Sequence, residues 1–249
     1  MNFSSLMLGT VQFGMNYGIA NTHGKPSFEL AEAILKTAVD NGITALDTAA
    51  AYGDSEEVLG KAIKNLGIAD KVIVVTKVPP VPENEDAAKF IRNSLENSLR
   101  RLQLDVLPLV LLHRESDLPY LETLKSFAAE GLLLEAGVSL DSLAFRDKAD
   151  DVGYLQVPCN VLDHRFDPII SGGRKKHIFI RSVYLQGMLL MDKSRIPFPE
   201  IVAYREKLES FGMPLAELCM RYLLSMPGNV SVLTGVDTVA QLQENIRLA

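Results

Sequence analysis

The chain has 249 residues, 47% of them hydrophobic and 22% charged, with a formal net charge of −6. A chain of this size can bury a core without disulfides or metal, and its acidic balance argues against general binding to nucleic acids or anionic membranes. No apolar run approaches the roughly 18 residues that span a bilayer, and the N-terminus does not resemble a signal peptide. Only Cys159 and Cys219 are present, without metal-ligand spacing, so we expect reduced thiols in a cytoplasmic protein.

Apolar runs of strand length recur along the chain, and each is continuous rather than alternating. Continuous runs are typical of parallel strands that are covered on both faces. Eight such runs predict strands, at residues 6–8, 44–46, 72–76, 107–112, 135–138, 154–157, 178–182 and 230–233.

Segments with helical periodicity separate these runs. They cover residues 27–42, 55–67, 86–103, 118–131, 198–212 and 214–228, and most of them end at or near a glycine. Strands that alternate with helices predict right-handed βαβ units and a parallel sheet. Eight units in about 250 residues match the size of a (β/α)8 TIM barrel. We therefore predict one barrel domain over residues 1–249, with eight parallel strands and outer helices. The helical pattern is weakest at residues 141–151.

An open, doubly wound sheet is the competing architecture. It would require a glycine-rich phosphate loop of the GxGxxG type after a strand, and this motif is absent. The sequence "LGTVQFG" after the first strand has the wrong spacing, which favours the barrel.

Polar residues that could take part in catalysis stand at the ends of three consecutive predicted strands. Asp47 follows the second run, Lys77 the third and His113 the fourth, and Tyr52 lies in the loop after the second. Taken singly, such a residue is commonly a turn residue or part of a rim ion pair. In a barrel, however, the C-terminal strand ends meet at one mouth, so we expect these four side chains to converge.

A carboxylate, an ammonium, an imidazole and a phenol together suit the reduction of a carbonyl group. A phenol is a poor acid at neutral pH unless its anion is stabilised, and Lys77, held by Asp47, is the candidate cation. Tyr52 would donate a proton to the oxygen that gains negative charge, and His113 would orient that oxygen. No nucleophile with its own base and no metal-binding cluster accompanies them, so the hydride must come from a cofactor.

The same residues resemble the motifs of the aldo-keto reductase superfamily. "DTAAAYGDSE" (47–56) is similar to its Asp-Thr-Ala-x-x-Tyr-Gly-x-Ser-Glu motif, "LGTVQFG" (8–14) resembles its opening strand, and "TK" (76–77) and "LLH" (111–113) match its lysine and histidine positions. The resemblance implies a (β/α)8 barrel that reduces aldehydes or ketones with NADP(H), and the last segment discussed below extends the expected cofactor to NADP(H) or NAD(H). It implies a catalytic tetrad of Asp47, Tyr52, Lys77 and His113.

Further matches imply where the cofactor binds. "GVSLDS" and "LQVPCN" place Ser139 and Gln156 at the nicotinamide carboxamide, although Leu140 stands where the family has asparagine. "IRSVYLQGML" and "VLTGVDTVAQLQENI" resemble the pyrophosphate and adenine segments. With the opening strand, the implied cofactor residues are Gly9, Thr10, Ser139, Gln156, Ser182, Leu185, Gly187, Gly235, Gln241, Glu244 and Asn245.

The last of these segments departs from the family pattern. Many relatives carry Lys or Arg there to pair with the 2′-phosphate of NADP, whereas this chain has Gly235, Val236 and Gln241, and Asp237 adds a negative charge. We therefore predict a weaker preference for NADP than is usual, with dual use or NAD use. The mouth loops are also short, which implies an open substrate site. A sugar or small aldehyde is the expected substrate, and the sequence gives no indication of the oligomeric state.

Two other functions remain as alternatives. One is a cofactor-sensing or regulatory subunit on the same fold, in which catalysis is weak or lost. The other is a barrel lyase or isomerase that uses Lys77 as a Schiff-base amine, although Asp47 beside the lysine favours a permanently charged ammonium. The basic stretch at residues 171–177 is interpreted as a solvated loop.

Overall fold

The structure is a computed structural model that describes residues 1–172 and 175–249. Parallel strands pair in sequence order, and the pairing of the last strand with the first closes the barrel. The strands are β1 Leu6–Gly9, β2 Ala45–Asp47, β3 Ile73–Val78, β4 Leu107–Leu112, β5 Leu133–Ser139, β6 Tyr154–Pro158, β7 His177–Arg181 and β8 Val230–Gly235. The predicted (β/α)8 architecture is confirmed, and the eight apolar runs match the eight strands to within a few residues.

Helices on the outside of the barrel connect the strands. They are α1 Val11–Gly14, α2 Phe28–Asp40, α3 Ser55–Leu66, α4 Ala87–Leu102, α5 Leu121–Ser126, α6 Asp167–Gly172, α7 Pro199–Glu209, α8 Leu215–Leu224 and α9 Val239–Leu248. Side-chain caps fix several of their starts: Ser27, Asp86 and Thr238 each accept a hydrogen bond from a backbone N–H of the first turn. None of the helices in the described ranges is long and apolar enough to cross a membrane.

The connections after β4 and β5 depart from regular α-helix. After β5 the chain forms only the short 3₁₀ turns Leu143–Phe145 and Asp147–Ala149, in agreement with the weak helical pattern there. The predicted helix at 118–131 begins instead as a 3₁₀ turn, Glu115–Tyr120, which contains Pro119. Proline has no backbone N–H to donate, so the α-helix starts only after it. The prediction of a solvated loop over 171–177 is wrong at both ends, because Ser171 and Gly172 belong to α6 and the buried His177 begins β7. Gly173 and Arg174 lie outside the described residues.

The inside of the barrel has its own apolar cluster, separate from the layer between strands and helices. It consists of Met7, Ala45, Val75, Leu109, Leu111 and Phe179, all fully buried. Side chains two positions apart on a strand point to the same face. The residues two positions after Ala45, Val75, Leu111 and Phe179 therefore lie one layer higher, at the C-terminal mouth. They are Asp47, Lys77, His113 and Arg181.

His177 lies at the opposite end of the barrel and is buried as a neutral group. Its ring packs against Phe3 and Phe179, at centroid distances of 4.5 and 4.8 Å, and its Nε2 is 2.9 Å from the Ser231 hydroxyl. Burial lowers the pKa of His177 to about 4. The His177 imidazole therefore becomes protonated near pH 6.5 in the unfolded chain but only near pH 4 in the folded protein.

This difference predicts that His177 weakens the fold as the pH falls from about 6.5 towards 4. Wild-type protein should lose about 2 kcal/mol more unfolding free energy between pH 7 and 4.5 than a His177→Gln variant, whose amide can still bond Ser231. Urea unfolding at both pH values measures the difference. Equal losses in the two proteins would contradict the assignment of a depressed pKa to His177.

Candidate active site

A buried ion pair joins β2 to β3 at the mouth. Lys77 Nζ is 2.5 Å from Asp47 Oδ1 and donates a second hydrogen bond to the Thr48 carbonyl at 2.8 Å. Both residues are almost fully buried, with 1% and 2% exposure. Burial lowers the pKa of Lys77, and the Asp47 carboxylate opposes this shift. The Asp47 carboxylate thus fixes the position of the Lys77 ammonium group.

Two further residues hold Asp47 itself. Gln156, on β6, donates from Nε2 to the same Asp47 Oδ1 at 2.7 Å. Thr10 donates its hydroxyl to the Asp47 carbonyl at 2.8 Å and also contacts the Ser55 hydroxyl. The Asp47 side chain is therefore fixed from two other strands, and its backbone is anchored to the chain that follows β1.

Tyr52 is positioned by two interlocking glycines. A Cβ on Gly14 would come within 1.7 Å of the Tyr52 carbonyl oxygen, and a Cβ on Gly53 would come within 2.4 Å of the Gly14 carbonyl oxygen. Gly53 also has a φ of 58°, which favours glycine. The close contact of α1 with the "AYGDS" turn brings the phenol beside the ion pair.

Tyr52, His113 and Lys77 lie together. The rings of Tyr52 and His113 pack edge to face at a centroid distance of 5.6 Å, and Lys77 Nζ is 5.0 Å from the centre of the Tyr52 ring. Burial lowers the pKa of His113 to about 4, so its imidazole is neutral at physiological pH. Its Nδ1 is buried without a hydrogen-bond partner in the described part of the chain. The predicted group of four side chains therefore converges.

The pKa of Tyr52 differs from the sequence expectation of a more acidic phenol. Burial raises it, the Asp47 carboxylate raises it further, and the positive charge that opposes the rise comes from Arg181. Burial is the largest cause of the rise, and the nearby Asp47 carboxylate adds to it. Tyr52 consequently keeps its proton throughout the physiological pH range and is available as a donor.

A cavity of about 670 Å³ opens beside these residues, and we call it the mouth cavity. Its size is typical of small-molecule and cofactor sites. Asp47 and Tyr52 line one end. Most of the predicted cofactor residues also line it, namely Gly9, Gln156, Ser182, Gly187, Gly235, Gln241, Glu244 and Asn245.

Three predicted cofactor residues do not line the mouth cavity. Thr10 is fully buried, and its hydroxyl bonds Asp47 and Ser55 behind the cavity wall. Ser139 is buried at the end of β5, where it pairs with Gln156, and Leu185 packs against the apolar layer. The neighbouring residues Gln156 and Ser182 do line the cavity. Contact of Thr10, Ser139 and Leu185 with a cofactor stays a prediction.

Two buried polar atoms at the cavity wall have no partner within residues 1–172 and 175–249. They are Gln12 Oε1 and Asp237 Oδ1, and both residues line the mouth cavity. The Gln12 amide lies directly over Gly235, where a Cβ would come within 2.6 Å of it. A buried acceptor without a partner is costly, so these atoms indicate a hydrogen-bond-donating ligand. A polar dinucleotide supplies such donors.

Sequence reasoning missed Gln12, Arg181 and Arg195 as cavity residues. Arg181 and Arg195 are the cations that line the mouth cavity in the described ranges. Arg181 could have been found, because it lies at the C-terminal end of the predicted seventh strand (178–182), and Lys77 lies at the corresponding end of the third. Arg195 lies in the short turn Lys193–Arg195 before α7, where nothing in the sequence pattern indicates the cavity.

Comparison with known proteins gives the family. Residues 5–249 match the profile of the Aldo/keto reductase family. The chain belongs to the aldo/keto reductase family. It is therefore an oxidoreductase of a family that uses NAD(P)H.

Individual relatives agree with this assignment. Aldo-keto reductase YhdN of Bacillus subtilis is 29% identical over 84% of this chain and 75% of its own length. Methylglyoxal reductase YeaE of Escherichia coli is 38% identical over 43% of this chain and 38% of its own length. An aldo/keto reductase of Klebsiella pneumoniae, solved in complex with NADP and acetate, is 25% identical with a TM-score of 0.75, covering 99% of this chain and 86% of that one.

Proposed function

We propose that this protein reduces a small aldehyde or ketone to the alcohol with NADH or NADPH, with Tyr52 as the general acid. The observation that carries the proposal is the convergence of Tyr52, His113 and the buried Asp47–Lys77 pair. Of these residues, Tyr52 and Asp47 line the mouth cavity, and Lys77 and His113 lie behind them. A sugar or small aldehyde suits this cavity, and the relative YeaE is a methylglyoxal reductase. The proposal places the enzyme in the cytoplasm, supported by two buried thiols, Cys159 and Cys219, that form no disulfide.

In the proposed reaction the protein supplies the proton and the electrostatic environment. Tyr52 donates a hydrogen bond to the substrate carbonyl and passes its proton to that oxygen as negative charge develops on it. An alkoxide is a stronger base than even a buried phenolate, so the transfer stays favourable despite the raised pKa of Tyr52. Neutral His113 can donate a second hydrogen bond to the same oxygen.

The buried ion pair positions the acid and offsets the charge it leaves behind. Lys77 Nζ lies 5.0 Å from the Tyr52 ring centre, so its ammonium stabilises the phenolate that forms during the step. Asp47 keeps that ammonium oriented, and Gln156 keeps Asp47 oriented. The bound nicotinamide supplies the hydride.

The cavity residues fit a dinucleotide. Gln156 lies at the reacting end beside Asp47, and the Gln156 Oε1 acceptor is available for a carboxamide N–H. Ser182 and Gly187 bound a turn in which Ser182, Leu185, Gln186 and Gly187 all have positive φ values. The N–H groups of Leu185 and Gly187 donate within this turn to the Ser182 and Tyr184 carbonyls, which fixes its shape, and Ser182 and Gly187 line the mouth cavity where a pyrophosphate would lie.

A Tyr52→Phe variant tests the assignment of the acid. We expect it to lose about 10²-fold or more in the rate of carbonyl reduction, because the ring remains but the proton donor is gone. Dinucleotide affinity should stay within about threefold of wild type. Steady-state assays with small aldehydes and a fluorescence titration of reduced cofactor measure the two quantities. Tyr204, which is exposed on α7, gives a matched Tyr→Phe control.

Three results would contradict the proposal. Undiminished reduction by Tyr52→Phe would remove Tyr52 as the acid. Wild-type protein that binds the dinucleotide but reduces none of a broad aldehyde panel would favour the cofactor-sensing subunit instead. Borohydride trapping of a substrate on Lys77 would favour the lyase alternative.

We further propose that the enzyme accepts NADH at least as well as NADPH. Asp237 is 9% exposed, lines the mouth cavity and has its Oδ1 unpartnered within the described residues. Such an acceptor suits a ribose hydroxyl and would face a 2′-phosphate with like charge. Its cavity neighbours on the β8–α9 segment are Val236, Ala240, Gln241 and Glu244, which bring no positive charge. The NADP found in the Klebsiella enzyme shows what that relative binds.

Titration with the two reduced dinucleotides tests this preference. We expect NADH to bind wild-type protein at least as tightly as NADPH, and an Asp237→Ser variant to shift the ratio towards NADPH by about tenfold, or 1.4 kcal/mol. Asp70→Ser, an exposed acid on the outside, is the control. NADPH binding that is at least about tenfold tighter in wild type would refute the preference.

A further inference from the structure

Arg181 places a positive charge on the wall of the mouth cavity beside the proposed cofactor residues. It lies two positions after Phe179, whose side chain is inside the barrel, so its own side chain faces the mouth. Phe179 pairs with Gln156 on β6, and Ser182 follows Arg181 directly. Arg181, Gln156 and Ser182 all line the mouth cavity, together with Tyr52. The guanidinium therefore borders the part of the cavity where Gln156 would hold the nicotinamide end of the cofactor.

The charge of Arg181 is only weakly balanced by its surroundings. Its Nη2 donates to the Leu140 carbonyl at 3.3 Å and to the carboxylate of Asp141. Asp141 is 68% exposed, so water screens its negative charge, whereas the Arg181 side chain is 25% exposed. A net positive charge is therefore left at the cavity wall.

Asp47 and Lys77 add little net charge at this end of the cavity, because they form a pair. Lys77 Nζ is 2.5 Å from Asp47 Oδ1, and both side chains are almost fully buried. Burial is the main cause of the lowered pKa of Lys77 and of His113, and the positive charge of Arg181 lowers both further. The field of Arg181 therefore reaches the groups around Tyr52.

The two redox forms of a nicotinamide cofactor differ in charge at the ring. The reduced ring is neutral, and loss of the hydride leaves a positively charged ring, while the diphosphate and the adenosine are unchanged. A fixed cation beside the ring therefore disfavours the oxidised form relative to the reduced form. A cation beside the diphosphate would instead attract both forms equally.

We propose that Arg181 is a specificity-determining residue for the redox state of the cofactor: its guanidinium lies against the nicotinamide ring and makes the protein bind the reduced dinucleotide more tightly than the oxidised one. This inference rests on the proposed function, which puts the ring at the Tyr52 end of the cavity, and it adds a preferred direction to that function. Weak binding of the oxidised dinucleotide favours its release after reduction and disfavours the reverse oxidation of alcohols. The same discrimination applies to NADPH and NADP⁺, because their ring is identical.

Calorimetric titration of both redox forms tests the inference without requiring turnover. Wild type should bind NADH at least about tenfold more tightly than NAD⁺, and NADPH more tightly than NADP⁺ by a similar factor. Arg181→Met should lower each ratio about tenfold, whereas Arg181→Lys, which keeps the charge, should retain part of it. ADP-ribose, which lacks the ring, should bind wild type and Arg181→Met with affinities within about threefold of each other.

Two further variants separate the charge effect from a folding defect. Asp141→Asn removes the counter-charge of Arg181 and should raise the ratio of NADH to NAD⁺ affinity about threefold, opposite in sign to Arg181→Met. Arg92→Met is the matched control, because Arg92 lies on α4 outside the cavity lining, where it pairs with Glu130. Its ratio should equal that of wild type.

Product inhibition tests the same residue during reduction. The inhibition constant of NAD⁺ against NADH, divided by the KM for NADH, should fall about tenfold in Arg181→Met, because the oxidised product is no longer repelled.

Each contrary outcome has a distinct meaning. A ratio that is unchanged in Arg181→Met, or that falls in Asp141→Asn, would overturn the inference. A similar loss of affinity for NADH, NAD⁺ and ADP-ribose in Arg181→Met would also overturn it, by placing Arg181 against the diphosphate. A wild type whose redox preference depends on Arg181 but which reduces no aldehyde would contradict the reductase proposal and leave this inference standing.

Discussion

The buried contact between Asp47 and Lys77 is the constraint on which the mouth of this barrel depends. Moving two charged groups into an apolar interior costs several kcal/mol per ion, and the cost is offset only when the partners meet in good geometry with further hydrogen bonds. Here the 2.5 Å contact is supplemented by Thr48 and Gln156. Displacing either partner would leave an uncompensated charge, so β2, β3 and β6 keep a fixed relative position at their C-terminal ends.

This rigid support explains how a weak acid can be useful. Tyr52 lies in a loop, but Gly14 and Gly53 lock that loop against α1, and the ion pair lies beneath the phenol. Burial strengthens the hold of Tyr52 on its proton and also strengthens every charge interaction in the cavity. The site therefore acts when negative charge appears on a substrate oxygen rather than by ionising in advance. Arg181 adds a positive charge at the same level of the barrel.

Much of the fold and of the reacting group could be predicted from the sequence. Continuous apolar runs identified the strands because both faces of each strand are covered, and the strand-end rule placed Asp47, Lys77 and His113 together because parallel strands end at one mouth. The contacts between side chains could not be predicted from the sequence to the same extent. The bond from Gln156 to Asp47 joins residues far apart in sequence and depends on how the strands pair. The upward shift of the Tyr52 pKa likewise depends on burial, and Arg195 reaches the cavity from a turn without a motif.

A structure of the protein with NADH and a non-reacting carbonyl analogue tests the central claim most directly. The account predicts that the nicotinamide lies over the Asp47–Lys77 pair, with its C4 within about 3.5 Å of the analogue's carbonyl carbon and the Tyr52 hydroxyl within hydrogen-bond distance of the carbonyl oxygen. A dinucleotide bound away from Tyr52, or a carbonyl oxygen that contacts neither Tyr52 nor His113, would contradict it.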